Sequence, residues 1–166
     1  MQRRQLLQAA VGAATIGLLR GARAADPKVP VFALEDQWER KHDQAVVFRG
    51  GNVVMIGGDQ RATGDRIGEW AKALDGAGAV VWAIADLDGV PFFVPHGSIR
   101  SSLRASCPKT PVLLDWKGKV YAPLLGFPAK KEIVVQVHGP QAQLLARVEG
   151  PPTPERIASV KKAAGV

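Results

Sequence analysis

The chain is 166 residues long, 46% hydrophobic, and carries 22 lysines and arginines against 15 acids for a formal charge of +7, with one cysteine. That length suits one compact domain with a real core. The cations are scattered rather than gathered into the basic stripe of a nucleic-acid binder, so no nucleic-acid partner is expected. One cysteine excludes an intrachain disulfide and a two-thiol cycle within one molecule.

Arg3-Arg4 is followed by an apolar run from Leu6 to Leu19 and by the small-residue site Ala22-Arg23-Ala24. The run is rich in Ala and Gly and shorter than the about 20 residues a membrane span requires. This pattern predicts a cleavable export signal over residues 1–24. Adjacent arginines before a weakly hydrophobic segment resemble a twin-arginine signal, although Gln2 stands where Ser or Thr is usual; ordinary secretion is the alternative. The expected location is the periplasm, with membrane contact only through an uncleaved signal. Removing 1–24 takes away four arginines and no acid, so the formal charge falls from +7 to +3. Residues 25–30 read as a tether, and 31–166 as one domain.

An extended piece is expected at Val31 to Leu34, then a polar connection or short helix at Gln37 to Asp43 and a short apolar run at Ala45 to Phe48. Asn52 to Ile56 is a β-branched run ending at Gly57-Gly58, the profile of a buried strand. Ile67, Trp70, Ala71 and Leu74 fall at i, i+3, i+4 and i+7, one face of a helix, which stops at Asp75-Gly76-Ala77-Gly78. Ala79 to Ala85 is a second apolar strand, giving a parallel βαβ unit. After a loop at Asp86 to Pro95, Ser98 to Ala105 reads as a helix and Pro111 to Asp115 as a strand. A turn at Trp116 to Lys119 leads into Val120 to Leu125, a run given no element of its own. Glu132 to Val137 and Gln143 to Val148 flank a turn at His138 to Gln141, a hairpin by spacing. The last helix opens at Thr153-Pro154, with Thr as N-cap and Pro at N1.

This order, β, βαβ, α, β, β-hairpin, α, resembles that of thioredoxins over roughly residues 31–165. The resemblance implies an α/β, thioredoxin-like three-layer fold, with a central mixed sheet of about five strands and flanking helices. It also implies a redox pair at the first βα turn and a cis-proline opening the strand before the hairpin, facing that turn. On this pattern the pair's positions are held by Ala62 and Asp65, in Ala62-Thr63-Gly64-Asp65, and the proline by Thr110-Pro111. In a thioredoxin the helix N-terminus lowers a thiol pKa; neither Ala62 nor Asp65 can form a disulfide. Asp65 is read as a cap for the orphan amides. A closer resemblance is to the exported YtfJ-type family, whose members also lack the pair. It is carried by the Asp86 to Pro91 loop, by Ile99-Arg100-Ser101-Ser102-Leu103 and by Pro152-Thr153-Pro154-Glu155-Arg156.

Cys107 is the one thiol and the candidate catalytic residue, with Arg104 and Lys109 near enough in sequence to stabilise a thiolate. The competing reading is a small, half-buried packing group. A peroxiredoxin-type thiol would belong at the first helix, where none stands. Asp86 and Asp88 sit at the carboxyl end of a parallel strand, the edge where open α/β sheets place ligands; the ordinary reading is a solvated turn, since Asp86-Leu87-Asp88-Gly89 lacks the rest of a calcium loop. His42, His96 and His138 show no metal-ligand spacing, and Gly57-Gly58 lacks the phosphate-loop and dinucleotide patterns, so no metal and no cofactor are expected. Phe92 and Phe93, adjacent in the proline-bounded Pro91 to Pro95 loop, cannot both turn inward easily, so one is a candidate partner surface.

The expected function is that of a non-catalytic binding or accessory module without the redox pair, whose partner is another exported protein or a small ligand. Its ligand face comprises the stretch from Asp59 to Asp65, with Ala62, Thr63, Gly64 and Asp65 as its candidate residues, together with Asp86, Asp88, Phe92, Phe93, Thr110 and Pro111. The alternative is a single-cysteine thiol oxidoreductase or peroxidase-like enzyme using Cys107.

Overall fold

The computed structural model describes residues 29–59, 63–126 and 132–166. The expected signal over 1–24, most of the tether and Ala62 lie outside these residues. In chain order the elements are β1 (Ala33–Glu35), β2 (Lys41–Asp43), α1 (Gln44–Val47), β3 (Val53–Asp59), α2 (Thr63–Leu74), β4 (Val80–Asp86), α3 (His96–Ser106), β5 (Val112–Asp115), α4 (Tyr121–Leu125), β6 (Val134–His138), β7 (Leu144–Glu149) and α5 (Pro154–Ala164).

Strands β3, β4 and β5 are parallel, β6 joins β3 antiparallel and β7 pairs with β6, giving the order β5-β4-β3-β6-β7. β1 and β2 form a separate antiparallel pair. Alternate strand residues point to opposite faces. Val54, Ile56, Ala83, Ala85, Val112 and Leu114 meet Ile67, Trp70 and Leu74 of α2, Leu103 of α3 and Val160 of α5. On the other face Val53, Met55, Ile84 and Leu113 meet Phe32, Val47 of α1, and Tyr121 and Leu125 of α4. Helices therefore cover both faces of the mixed sheet, as expected.

The apolar stripe of α2 is fully used, and the helix stops where Gly76 takes φ 72°. Thr153 caps α5, its hydroxyl oxygen accepting from Arg156 N at 3.3 Å, with Pro154 opening the helix. Two expectations are corrected and one helix is added. β3 does not end at Ile56 but runs through Gly57 and Gly58 to Asp59: a Cβ at Gly57 would collide with the Leu125 side chain and sit 2.9 Å from Tyr121 Oη, so glycine lets α4 lie flush on the strand. The run after Val120, given no element from the sequence, forms α4, because the Asp115 carboxylate accepts from the backbone N–H groups of Lys119, Val120 and Tyr121 at 3.2, 2.7 and 2.8 Å and turns the chain. Lys41 to Asp43 is a strand, in register with Glu35 to Ala33.

Candidate functional site

Two regions gather the chemistry-bearing side chains, one at the carboxyl ends of the parallel strands and one between two helices. At the carboxyl ends, Asp59, Asp86 and Asp115 stand side by side in register as the last residues of β3, β4 and β5. By strand alternation all three share the face covered by α4. Asp115 is buried, its oxygens engaged by three backbone amides. Asp86 Oδ1 accepts from Asp88 N at 3.2 Å. Burial pushes the Asp86 carboxyl above its ordinary value, opposed by that hydrogen bond and reinforced by the charges of Asp115, Asp88 and Asp59. Against the same face, Tyr121 Oη is buried and makes no hydrogen bond among the described residues. Burial, then the negative charges of Asp86 and Asp59, raise its pKa, so the phenol stays protonated. Among the described residues no group of three or more His, Cys, Asp or Glu is placed to hold a metal ion.

On the next loop both Phe92 and Phe93 face outward, 100% and 72% exposed, with their rings edge to face at 5.8 Å. The sequence points to one outward ring; the tight proline-bounded loop leaves neither a route to the core. His96 opens α3 and stacks on Trp116 at 3.7 Å.

The second region lies between α2 and the end of α3. A cavity of about 430 Å³ is lined by Asp65, Gly68, Lys72 and Asp75 from one side and by Cys107 and Thr110 from the other. The walls approach closely because Gly68 has no side chain: a Cβ there would lie 2.7 Å from Ser106 O. Asp65 stands exposed in the first turn of α2; the preceding cap position, 62, is outside the described residues. Thr63 and Gly64 form the first helical residues.

Cys107 ends α3, its N–H donating to Leu103 O at 2.8 Å, and only 1% of it is exposed. Burial pushes its thiol up, weakly opposed by a hydrogen bond with Ser106. The expected cationic help is missing. Lys109 is paired with Asp75 at 2.6 Å, and Arg104 is exposed and plays no part in the shift.

Thr110 and Pro111 do not face the first turn of α2. β5 is an edge strand parallel to β4, so it begins at the end of the sheet opposite to that turn, and the hairpin is made by β6 and β7 after α4 has intervened. Among the described residues no peptide bond is cis. The segment is held instead by Gln37, whose buried amide donates to Cys107 O at 3.1 Å and Thr110 O at 2.9 Å while its oxygen accepts from Val112 N at 2.7 Å. The structure thus brings Asp65, Cys107 and Thr110 onto one cavity, puts Asp86 and Asp88 at the carboxyl edge, and puts Phe92 and Phe93 on the loop beyond.

Sequence reasoning puts Asp59 on the ligand face but misses Gln37, Tyr121 and Asp115 as site residues. The aspartates carry a visible signal, three apolar runs each closed by Asp, whereas Gln37 acts across 70 to 75 residues and no local pattern marks it.

No family model matches the chain, and no curated protein matches it. Solved structures do. Peroxidoxin BcpB from Mycobacterium tuberculosis is 18% identical, with a TM-score of 0.54 over 84% of this chain and 93% of that one. The exposed lipoprotein thioredoxin Etrx1 from Streptococcus pneumoniae is 14% identical, with a TM-score of 0.60 over 82% and 100%. A putative thiol:disulfide interchange protein DsbE from Chlorobium tepidum is 16% identical, with a TM-score of 0.57 over 83% and 93%. The fold is therefore thioredoxin-like, and its neighbours are mostly redox proteins.

Proposed function

We propose that this is an exported thioredoxin-fold protein of the YtfJ type that has left dithiol chemistry and serves as a binding or accessory module for another exported protein or a small ligand. One observation carries the reading: the first turn of α2 presents the carboxylate of Asp65, while the lone thiol is 1% exposed at the end of α3 with its pKa pushed up. A nucleophilic thiol needs the opposite environment. The binding face is the carboxyl edge of the sheet, with Asp65, Asp86, Asp88, Phe92 and Phe93; Thr110 and Pro111 fall outside it.

A second reading, a single-cysteine thiol oxidoreductase or peroxidase-like enzyme, is favoured by the cavity that reaches Cys107 and Thr110. Iodoacetamide labelling of the native protein between pH 6 and 9 separates the two. The module is expected to label only after unfolding in urea and to leave insulin disulfides intact. Rapid native labelling below pH 8, or peroxide or disulfide turnover lost in Cys107→Ser, overturns it. For export, periplasmic protein is expected to begin after Ala24, and an unprocessed cytoplasmic chain sinks that part.

A further inference from the structure

A second cavity, of about 480 Å³, lies between the β1–β2 pair and the turn from β5 into α4. Its lining includes Lys41, Lys117 and Lys119, the half-buried Trp116, and the carboxylates Glu35 and Asp115. Charges lining a cleft are ordinarily balanced by neighbours, and here the balance is diverted. Glu35 is in register with Lys41 across the strand pair, yet its carboxylate bonds to Arg100 Nη2 at 2.6 Å. Asp115 is engaged by three backbone amides. Lys41, Lys117 and Lys119 are exposed, and none enters an ion pair among the described residues. Asp88 packs near Gly118 but does not line the cleft.

We propose that this cleft binds a small molecule bearing a phosphate group on an aromatic or apolar body. Three ammonium groups without carboxylate partners suit a doubly charged oxyanion better than a single carboxylate, since lysine acts on phosphate as a flexible point charge. Trp116 supplies a rigid apolar wall, its ring held by His96 at 3.7 Å and by the Arg100 guanidinium at 5.8 Å. Leu34 and Val120 extend that wall. The volume matches a drug-sized ligand, for which roughly 300–1,000 Å³ is usual. The site is independent of the α2–α3 cavity and of the reading of Cys107.

The test is titration of the full chain with phenyl phosphate, benzoate and inorganic pyrophosphate, followed by NMR amide shifts and calorimetry. Phenyl phosphate is expected to bind saturably, at least tenfold more tightly than benzoate, with shifts at Trp116 to Val120 and at Lys41. Lys117→Ala with Lys119→Ala should weaken it at least tenfold while leaving the melting temperature unchanged, because both side chains are exposed. Trp116→Leu should reduce affinity for phenyl phosphate but not for pyrophosphate. Absence of saturation, equal affinity for benzoate, or binding indifferent to the lysine substitutions overturns the proposal. So does pyrophosphate binding as tightly as phenyl phosphate, which reports charge attraction alone.

Discussion

Asp36 is fully buried, and its carboxylate accepts from Trp38 N at 2.8 Å, Arg40 N at 3.0 Å and Arg40 Nε at 2.8 Å, with His42 Nε2 at 2.9 Å. Burial alone would raise its pKa; the hydrogen bonds from His42, Arg40 and Trp38 outweigh it and hold the carboxyl below the usual range. A folded value below the unfolded one contributes stability that is complete above the unfolded value of about 3.9 and is lost as pH falls through the folded value. Asp36→Asn is therefore expected to cost roughly 2–4 kcal/mol in urea unfolding at pH 7. The gap from the parent protein should shrink below about pH 4; a gap that stays constant through strong acid would put the effect in packing rather than charge.

At the scale of elements, α2 and α3 meet over a glycine. Gly68 lies against Ser106 O, a backbone atom that cannot swing aside, whereas at Gly97, in the first turn of α3, a methyl group would point into open space. Gly68→Ala should destabilise by about 1–3 kcal/mol despite the better helix propensity of alanine. Gly97→Ala should be neutral or stabilise by up to about 1 kcal/mol. Thermal unfolding of the two variants checks this, and a stabilised Gly68→Ala would mean the helices do not approach so closely. The same scale explains what can be read in advance. α2, β3, β4, the hairpin and α5 announce themselves through period and caps, because their order is local. α4 does not: its apolar run has no helical period long enough to register, and its formation depends on Asp115, whose capping role is set by tertiary burial.

For the molecule as a whole, the βαβ unit, the mixed sheet and the layers are legible, since alternating apolar runs leave few ways to cover a parallel sheet. The candidate site is legible only in part. Asp86, Asp88, Phe92 and Phe93 stand at the carboxyl edge that strand direction alone indicates. Pro111 misleads because a strand inserted between βαβ and hairpin looks, in one dimension, like the hairpin's first strand; only the pairing of β5 with β4 exposes the difference. The interior seat of Cys107 also decides how the protein matures. A fold whose one thiol is shut away from solvent is indifferent to the electron supply around it only once it has formed: the native protein should take up no glutathione from the oxidised form, whereas refolding in oxidised glutathione should lose yield against refolding in dithiothreitol, because the unfolded chain exposes the thiol to mixed-disulfide formation.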